Sequence, residues 1–129
     1  MPFALRVDPA LRVAILRPDK APTLQDWADA IDRALADPAF QPGFHFLSDR
    51  RHIAEPPTKE YVRGSIEALV TRQPRLGPDC RVAVVTAHDA TFGMARMAEA
   101  HAEPRKVHFR VFRDYDEALR WASTGEDDE

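Results

Sequence analysis

The chain has 129 residues, 44% of them hydrophobic and 30% charged, which suffices for the core of one domain and does not fit a disordered polyelectrolyte. Its net charge of -3, from 18 basic and 21 acidic residues, excludes a general nucleic-acid binder, because such proteins carry a basic excess. A single cysteine, Cys80, excludes an internal disulfide framework and a multi-cysteine zinc site.

No apolar run approaches the roughly 20 residues of a membrane span. The opening lacks the basic region and apolar stretch of a signal peptide, so a cytoplasmic location is expected. Glu126, Asp127, Asp128 and Glu129 close the chain. Removing these four from the 21 acidic residues leaves 17 against 18 basic ones, a net of +1. Residues 1–123 are expected to form a single domain and residues 124–129 a disordered acidic tail. Arginine outnumbers lysine fifteen to three; this bias supplies guanidinium forks for anions or reflects codon usage.

In chain order, residues 3–7 and 11–17 read as two strands joined by a turn at Asp8, Pro9 and Ala10, with Leu11, Val13 and Ile15 on one face. Thr23 and Asp26 start a helix in which Leu24, Trp27, Ala28, Ile31 and Leu35 recur at helical spacing. Asp29 and Arg33 are spaced for an ion pair on its other face. Residues 44–47 form a short strand after the turn signal Pro42-Gly43. Thr58 caps a second helix with Tyr61, Val62, Ile66, Leu69 and Val70 as its apolar stripe; Gly64 inside it either allows a close helix–sheet contact or is simply tolerated. Residues 74–79 read as a turn, and residues 81–86 as a strand buried on both faces. Asp89 is expected to cap a third helix that packs Phe92, Met94, Ala95, Met97 and Ala98 inward. Residues 107–112 alternate as a half-exposed edge strand, and Asp114 with Glu117 starts a last helix.

The order ββαβαβαβα predicts an α/β domain. Its five-stranded sheet is mixed and mostly parallel, opens with an antiparallel hairpin strand and is flanked by four helices. Parallel sheets place ligands beyond the carboxyl ends of their strands. That rim gathers Lys20, Ser48, Asp49, Arg50, Arg51, His52, His88 and Asp89. Arg50 and Arg51 suit an anionic group. If the strands follow in sequence there is no switch point, and a rim crevice is not expected. The five histidines form no paired metal-ligand spacing, so neither a metal site nor a cofactor is expected. No phosphate loop, nucleophile elbow or zinc-protease motif is present. A Ser48–His88–Asp49 triad can be written, but adjacent Ser48 and Asp49 cannot easily bracket one imidazole.

Several stretches resemble a known group. FLSDR at residues 46–50, RVAVV at 81–85, FGMARM at 92–97 and VFRDYDEALRW at 111–121 are similar to the small bacterial STAS/SEC14-like proteins of the SpoIIAA-like fold. Their pattern is roughly A-V-V, Y-G-x-A-R-M and V-F-x-D-x-x-x-A-x-x-W-L; Ala122 stands where it has leucine. The resemblance implies a regulatory or binding module whose strands follow mostly in order. In anti-sigma-factor antagonists of this fold, a serine in a D-S-x-G-type motif is phosphorylated. Here Asp49 is followed by Arg50 and Arg51, and the nearest hydroxyls, Ser48 and Thr58, do not match.

The leading expectation is therefore a non-enzymatic interaction module. Its binding surface would comprise Ser48, Asp49, Arg50, Arg51, His52, Thr58, Tyr61 and Val62, with His88 and Asp89 nearby, facing an unknown protein partner. The alternative is a carrier or sensor of a small amphipathic or anionic ligand, placed near Phe92, Met94 and Met97. A small hydrolase using His88 with Asp49 or Asp89 ranks third. Homodimerisation through an edge strand or the Met-rich helix, with Phe112 and Tyr115 as contacts, is a further expectation.

Overall fold

A computed structural model describes residues 2–126 of the chain. Strands β1 (Phe3–Asp8) and β2 (Val13–Pro18) form the antiparallel hairpin. The Asp8 carboxylate accepts the amides of Ala10 (3.0 Å) and Leu11 (3.1 Å), and Arg12 completes the turn at φ 60°. Leu11 and Arg12 are thus taken into the turn, and β2 begins later than the alternation predicts. The Arg12 carbonyl accepts the His45 amide at 2.8 Å, which docks the turn against the next strand.

Helix α1 (Leu24–Ala36) starts with the capping box that Thr23 and Asp26 predict. It buries Trp27, Ala30, Ile31 and Ala34, so the apolar face turns slightly from the predicted stripe. The expected Asp29–Arg33 pair is replaced: Arg33 donates to the Phe3 carbonyl (2.9 Å), and Asp29 accepts from Gln25 (2.8 Å). Strand β3 (His45–Asp49) is buried throughout and leads to α2 (Lys59–Thr71), capped by the Thr58 hydroxyl at 3.0 Å from the Tyr61 amide. The predicted turn at residues 74–79 contains instead a one-turn helix, α3 (Gln73–Leu76). Strand β4 (Arg81–Val85) follows, then α4 (Asp89–Ala102), strand β5 (His108–Phe112) and α5 (Tyr115–Thr124).

At α4 two expectations change. His88, not Asp89, occupies the cap position, without a side-chain bond, and the buried residues are Thr91, Ala95, Ala98 and Ala102. Met97 lies on the exposed side, 46% accessible. The last helix holds Thr124 and is closed by Gly125 at φ 78°, so the ordered body runs past residue 123; residues 127–129 of the expected tail lie outside the described residues.

The fold is α/β, with sheet order β1-β2-β3-β4-β5, the first pair antiparallel and the rest parallel. This order dictates the layers. Each crossover advances the sheet in the same direction, and right-handed crossovers that advance the same way lie on the same face. Accordingly α1, α2 and α4 share one face, where Trp27, Ile31, Ile66, Leu69 and Ala98 pack with Leu16, Phe46 and Val82. After β5 no further strand calls the chain back, and α5 takes the other face, where Ala118, Trp121 and Ala122 cover Leu47, Ala83, Val85 and Phe112.

Candidate ligand site at the carboxyl end of the sheet

The order of the strands leaves no switch point, and the rim residues are not gathered around one crevice: His52 lines an open pocket of about 620 Å³ with Phe3, Arg17, Pro18 and Arg33, while Ser48 and Arg50 line a separate cavity. What they do instead follows from strand alternation at the end of β3. Residues 48 and 50 project to the face of α1, α2 and α4; residues 47, 49 and 51 project to the face of α5. Adjacent rim residues therefore belong to opposite sides of the sheet.

On the α5 side, Asp49 is only 3% exposed. Arg51 holds both its oxygens at 2.9 Å and its own amide donates to Oδ1 at 3.2 Å, with Arg17 3.7 Å away. Burial alone would raise this carboxyl; the Arg51 hydrogen bonds and the neighbouring positive charges outweigh that and hold it below the usual range. The Arg51 guanidinium also lies 4.5 Å over the Tyr115 ring, which fastens the rim to the start of α5. A parallel arrangement joins Arg113, 4.2 Å over the Phe92 ring, to Asp89 at 2.7 Å. His52 is tied by its Nε2 to the Pro18 carbonyl. His88 stands at the α4 cap, its amide bonded to the Thr86 hydroxyl at 3.2 Å.

On the other side the arrangement is different. Ser48, Arg50 and Tyr61 line a cavity of about 40 Å³ together with Trp27, Val62, Ser65, Val84, Thr91, Ala95, Ala98 and Phe109. Arg50 is 5% exposed and Thr91 is 1% exposed, and neither Arg50 Nε nor Thr91 Oγ1 has a hydrogen-bond partner. The Tyr61 ring lies 5.6 Å from the Arg50 guanidinium. Burial pulls the Arg50 guanidinium below its ordinary value, partly countered by Tyr61 and by the exposed Glu55. Burial likewise pushes the Tyr61 hydroxyl up to about 12, against the lowering effect of Arg50, so it is a neutral hydrogen-bonding group at any working pH. Ser65 and Trp27 are satisfied within the fold: the Ser65 hydroxyl donates to the Val62 carbonyl (2.8 Å) and Trp27 Nε1 donates to the Ser65 carbonyl (3.1 Å).

The rim residues named from the sequence thus fall into two groups. Asp49, Arg51, His88 and Asp89 build local fastenings at the strand ends and helix starts. Ser48, Arg50 and Tyr61 meet in the interior, and Val62 is buried beside them. Thr58 is exposed as the α2 cap. Ser48 and Asp49 project to opposite faces of the sheet, so a triad drawing on both is not assembled. Sequence reasoning missed Thr91, although its place in the series 91, 95, 98 and 102 marks the buried stripe of α4. It also missed Trp27 and Phe109 as cavity walls. Among the described residues, no three His, Cys, Asp or Glu side chains stand together in a way that could hold a metal ion, and no helix is long and apolar enough to cross a membrane. Comparison of the chain with protein-family models, with curated proteins and with solved structures finds no match.

Proposed function

We propose that the chain is a non-enzymatic ligand-binding module of the SpoIIAA-like, STAS type, a carrier or sensor that holds a small molecule between its sheet and helices α2 and α4. One observation carries this reading: Arg50 lies almost wholly inside the protein with a guanidinium nitrogen bonded to nothing. The guanidinium meets Tyr61, but its Nε donor is left over, and a buried charged donor left unused is unfavourable. A chain that keeps one there beside a cavity gives that donor a ligand to meet. The inward course of Ser48, Arg50 and Val62 favours this reading over one in which the same residues form a protein-binding surface. Ser48, 4% exposed, is also a poor kinase target, which agrees with the absent D-S-x-G motif.

The test is native mass spectrometry of the gently purified chain, with thermal-shift screening. A co-purifying mass, or a compound that raises the melting temperature, is expected for the wild type and is expected to be lost in Arg50→Gln. No adduct and no stabilising compound of any class would end the reading.

A second reading rests on the two arginine–aromatic stacks at the outer rim, Arg51 on Tyr115 and Arg113 on Phe92. Arginine and tyrosine are the side chains most often found at the energetic centre of protein interfaces. A regulatory partner would dock there. Pull-down with wild type against Arg113→Glu is the check: a partner retained equally by both excludes this surface.

A further inference from the structure

We propose that the outer groove between α2 and α4 docks an acidic amphipathic helix of a partner protein, with Met97 meeting an apolar side chain and Lys59 and Arg63 meeting carboxylates. This surface shares only Val62 with the interior cavity and needs no ligand there.

Helical spacing sets the geometry. Lys59 and Arg63 stand four residues apart on α2, and Met97 and His101 stand four apart on α4. Residues at that spacing lie on the same side of a helix, about 6 Å apart along its axis. The two helices pack side by side. Together with Val62 these four residues line a groove of about 230 Å³. That is several times the roughly 30 Å³ share of one liquid water, and it has room for a large apolar side chain.

Charge selects the occupant. No acid lines the groove. Lys59 and Arg63 are exposed, and among the described residues neither has a hydrogen-bond or ion-pair partner. Glu67, beside His101, is already held by Arg105 at 2.7 Å and by His101 at 3.3 Å. The groove is thus locally basic in a chain whose net charge is -3.

Apolar exposure points the same way. Met97, 46% exposed, is the most exposed large apolar side chain among the described residues. A lone exposed apolar group is ordinary on a surface. Here it stands in a groove beside two unpaired cations, which is the plan of an interface: an apolar centre with a polar rim. Its flexible thioether adapts to the shape it meets. A helix suits the groove better than an extended segment does, because the cations recur at one-turn spacing and a helix presents carboxylates at that same interval. A second copy is a poor occupant. Leu24, the other exposed large apolar side chain, is followed on α1 by Asp26, Asp29 and Asp32, whose carboxylates already hold Thr23, Gln25 and Arg72.

The experiment uses the full chain and a fluorescent synthetic helix of leucine and glutamate, followed by anisotropy. Comparison probes are the same helix with lysine for glutamate, the same helix with alanine for leucine, and vesicles of phosphatidylglycerol. Only the leucine–glutamate helix is expected to bind, and its affinity is expected to fall as salt is added. Lys59→Glu combined with Arg63→Glu is expected to weaken binding about tenfold or more, because two attractive pairs become repulsive. Met97→Ser is expected to weaken it about tenfold, the loss of a central apolar anchor. All three positions are exposed, so melting temperatures are expected to stay near wild type. If the double variant does not fold, Met97→Ser alone decides. Arg6→Glu, an exposed charge reversal on β1, is expected to leave binding unchanged. No binding of the leucine–glutamate helix, or an equal loss in Arg6→Glu, overturns the proposal. Equal binding of the alanine helix overturns it too, since charge alone would then suffice. Binding of the vesicles but not of the helix, abolished by Met97→Ser, assigns the face to a membrane and overturns the partner. Dimers seen in sedimentation and abolished by Met97→Ser assign it to a second copy and likewise overturn the partner.

Discussion

Two neighbouring arginines at the end of β3 have opposite roles. Arg51 remains in solvent contact, grips Asp49 and lies on Tyr115; Arg50 goes inward and ends without a partner for its Nε. The sequence shows both as a basic pair on a rim. Their separation was nonetheless readable, because a period of two carried past Ser48 and Asp49 sends successive residues to opposite faces. The vacant hydrogen-bonding capacity of Arg50 was not readable, since it depends on what α2 and α4 bring to that side. His45 supports a prediction at the same scale. Its Nδ1 accepts the Arg81 amide at 3.0 Å, and burial, followed by the charges of Arg81 and Arg12, lowers its pKa from 6.5 to about 4. The folded state therefore resists a proton that the unfolded chain accepts. Stability is expected to fall as pH drops from 6.5 through 4, by about 3 kcal/mol in total, for a shift of that size. Asp32 and Asp49, whose pKa values lie below 3.8, lose their contribution at lower pH, so this window belongs to the histidine. Urea midpoints of wild type and His45→Gln at pH 7 and pH 4.5 check this: the acid loss should shrink in the variant, and an unchanged loss would assign it elsewhere.

At the scale of elements, start signals were more legible than packing faces. Thr23, Thr58 and Asp114 each cap the helix that the sequence assigns to them. Asp89 does not, because it pairs instead with Arg113 from the start of the neighbouring α5 loop, a contact that no local pattern contains. The face of α4 was read in part. Ala95 and Ala98 are buried as expected and Phe92 and Met94 pack half-buried against the core, but Thr91 and Ala102 complete the inner stripe and Met97 is left outside. Gly64 illustrates how closely the helices meet. A Cβ there would come within 2.5 Å of Leu24 Cδ1 from α1, so the glycine serves a helix–helix contact rather than the helix–sheet contact the sequence allows. Leu24 is 38% exposed and can rotate away. Gly64→Ala alone is expected to gain less than the helix-propensity difference of about 1 kcal/mol, and in a Leu24→Ala background to recover most of it. Denaturant titration of the four-member cycle measures the difference, and equal gains in both backgrounds would mean that Leu24 offers no obstruction.

The molecule as a whole is governed by its strand order. The alternation of strands and helices made the parallel pairing legible, whereas the consecutive order was an expectation of the resemblance alone. The sequence did not say that Ser48, Arg50 and Tyr61 would meet in the layer below the rim, because that depends on side-chain volumes across three helices. The same order leaves the α5 face dependent on one short helix. Trp121 is 7% exposed and stacks at 5.7 Å on Phe112. Trp121→Ala is expected to lower stability by about 3–5 kcal/mol, the usual range for removing a large core aromatic. Its denaturation midpoint beside that of wild type is the check; a loss below about 1 kcal/mol would mean that the α5 face contributes little to stability.

Consecutive strand order has one more consequence, for a chain that is made from its N-terminus. Each strand after β1 pairs with the one synthesised just before it, so on the ribosome no strand after the first must wait for a later segment to provide a neighbour. The sheet can lengthen one strand at a time as the nascent chain emerges. Its α5 side stays bare until the helix that follows β5 clears the exit tunnel. The interval between the emergence of β5 and that of α5, more than any earlier one, is when the nascent sheet offers this apolar surface to chaperones or to another nascent copy.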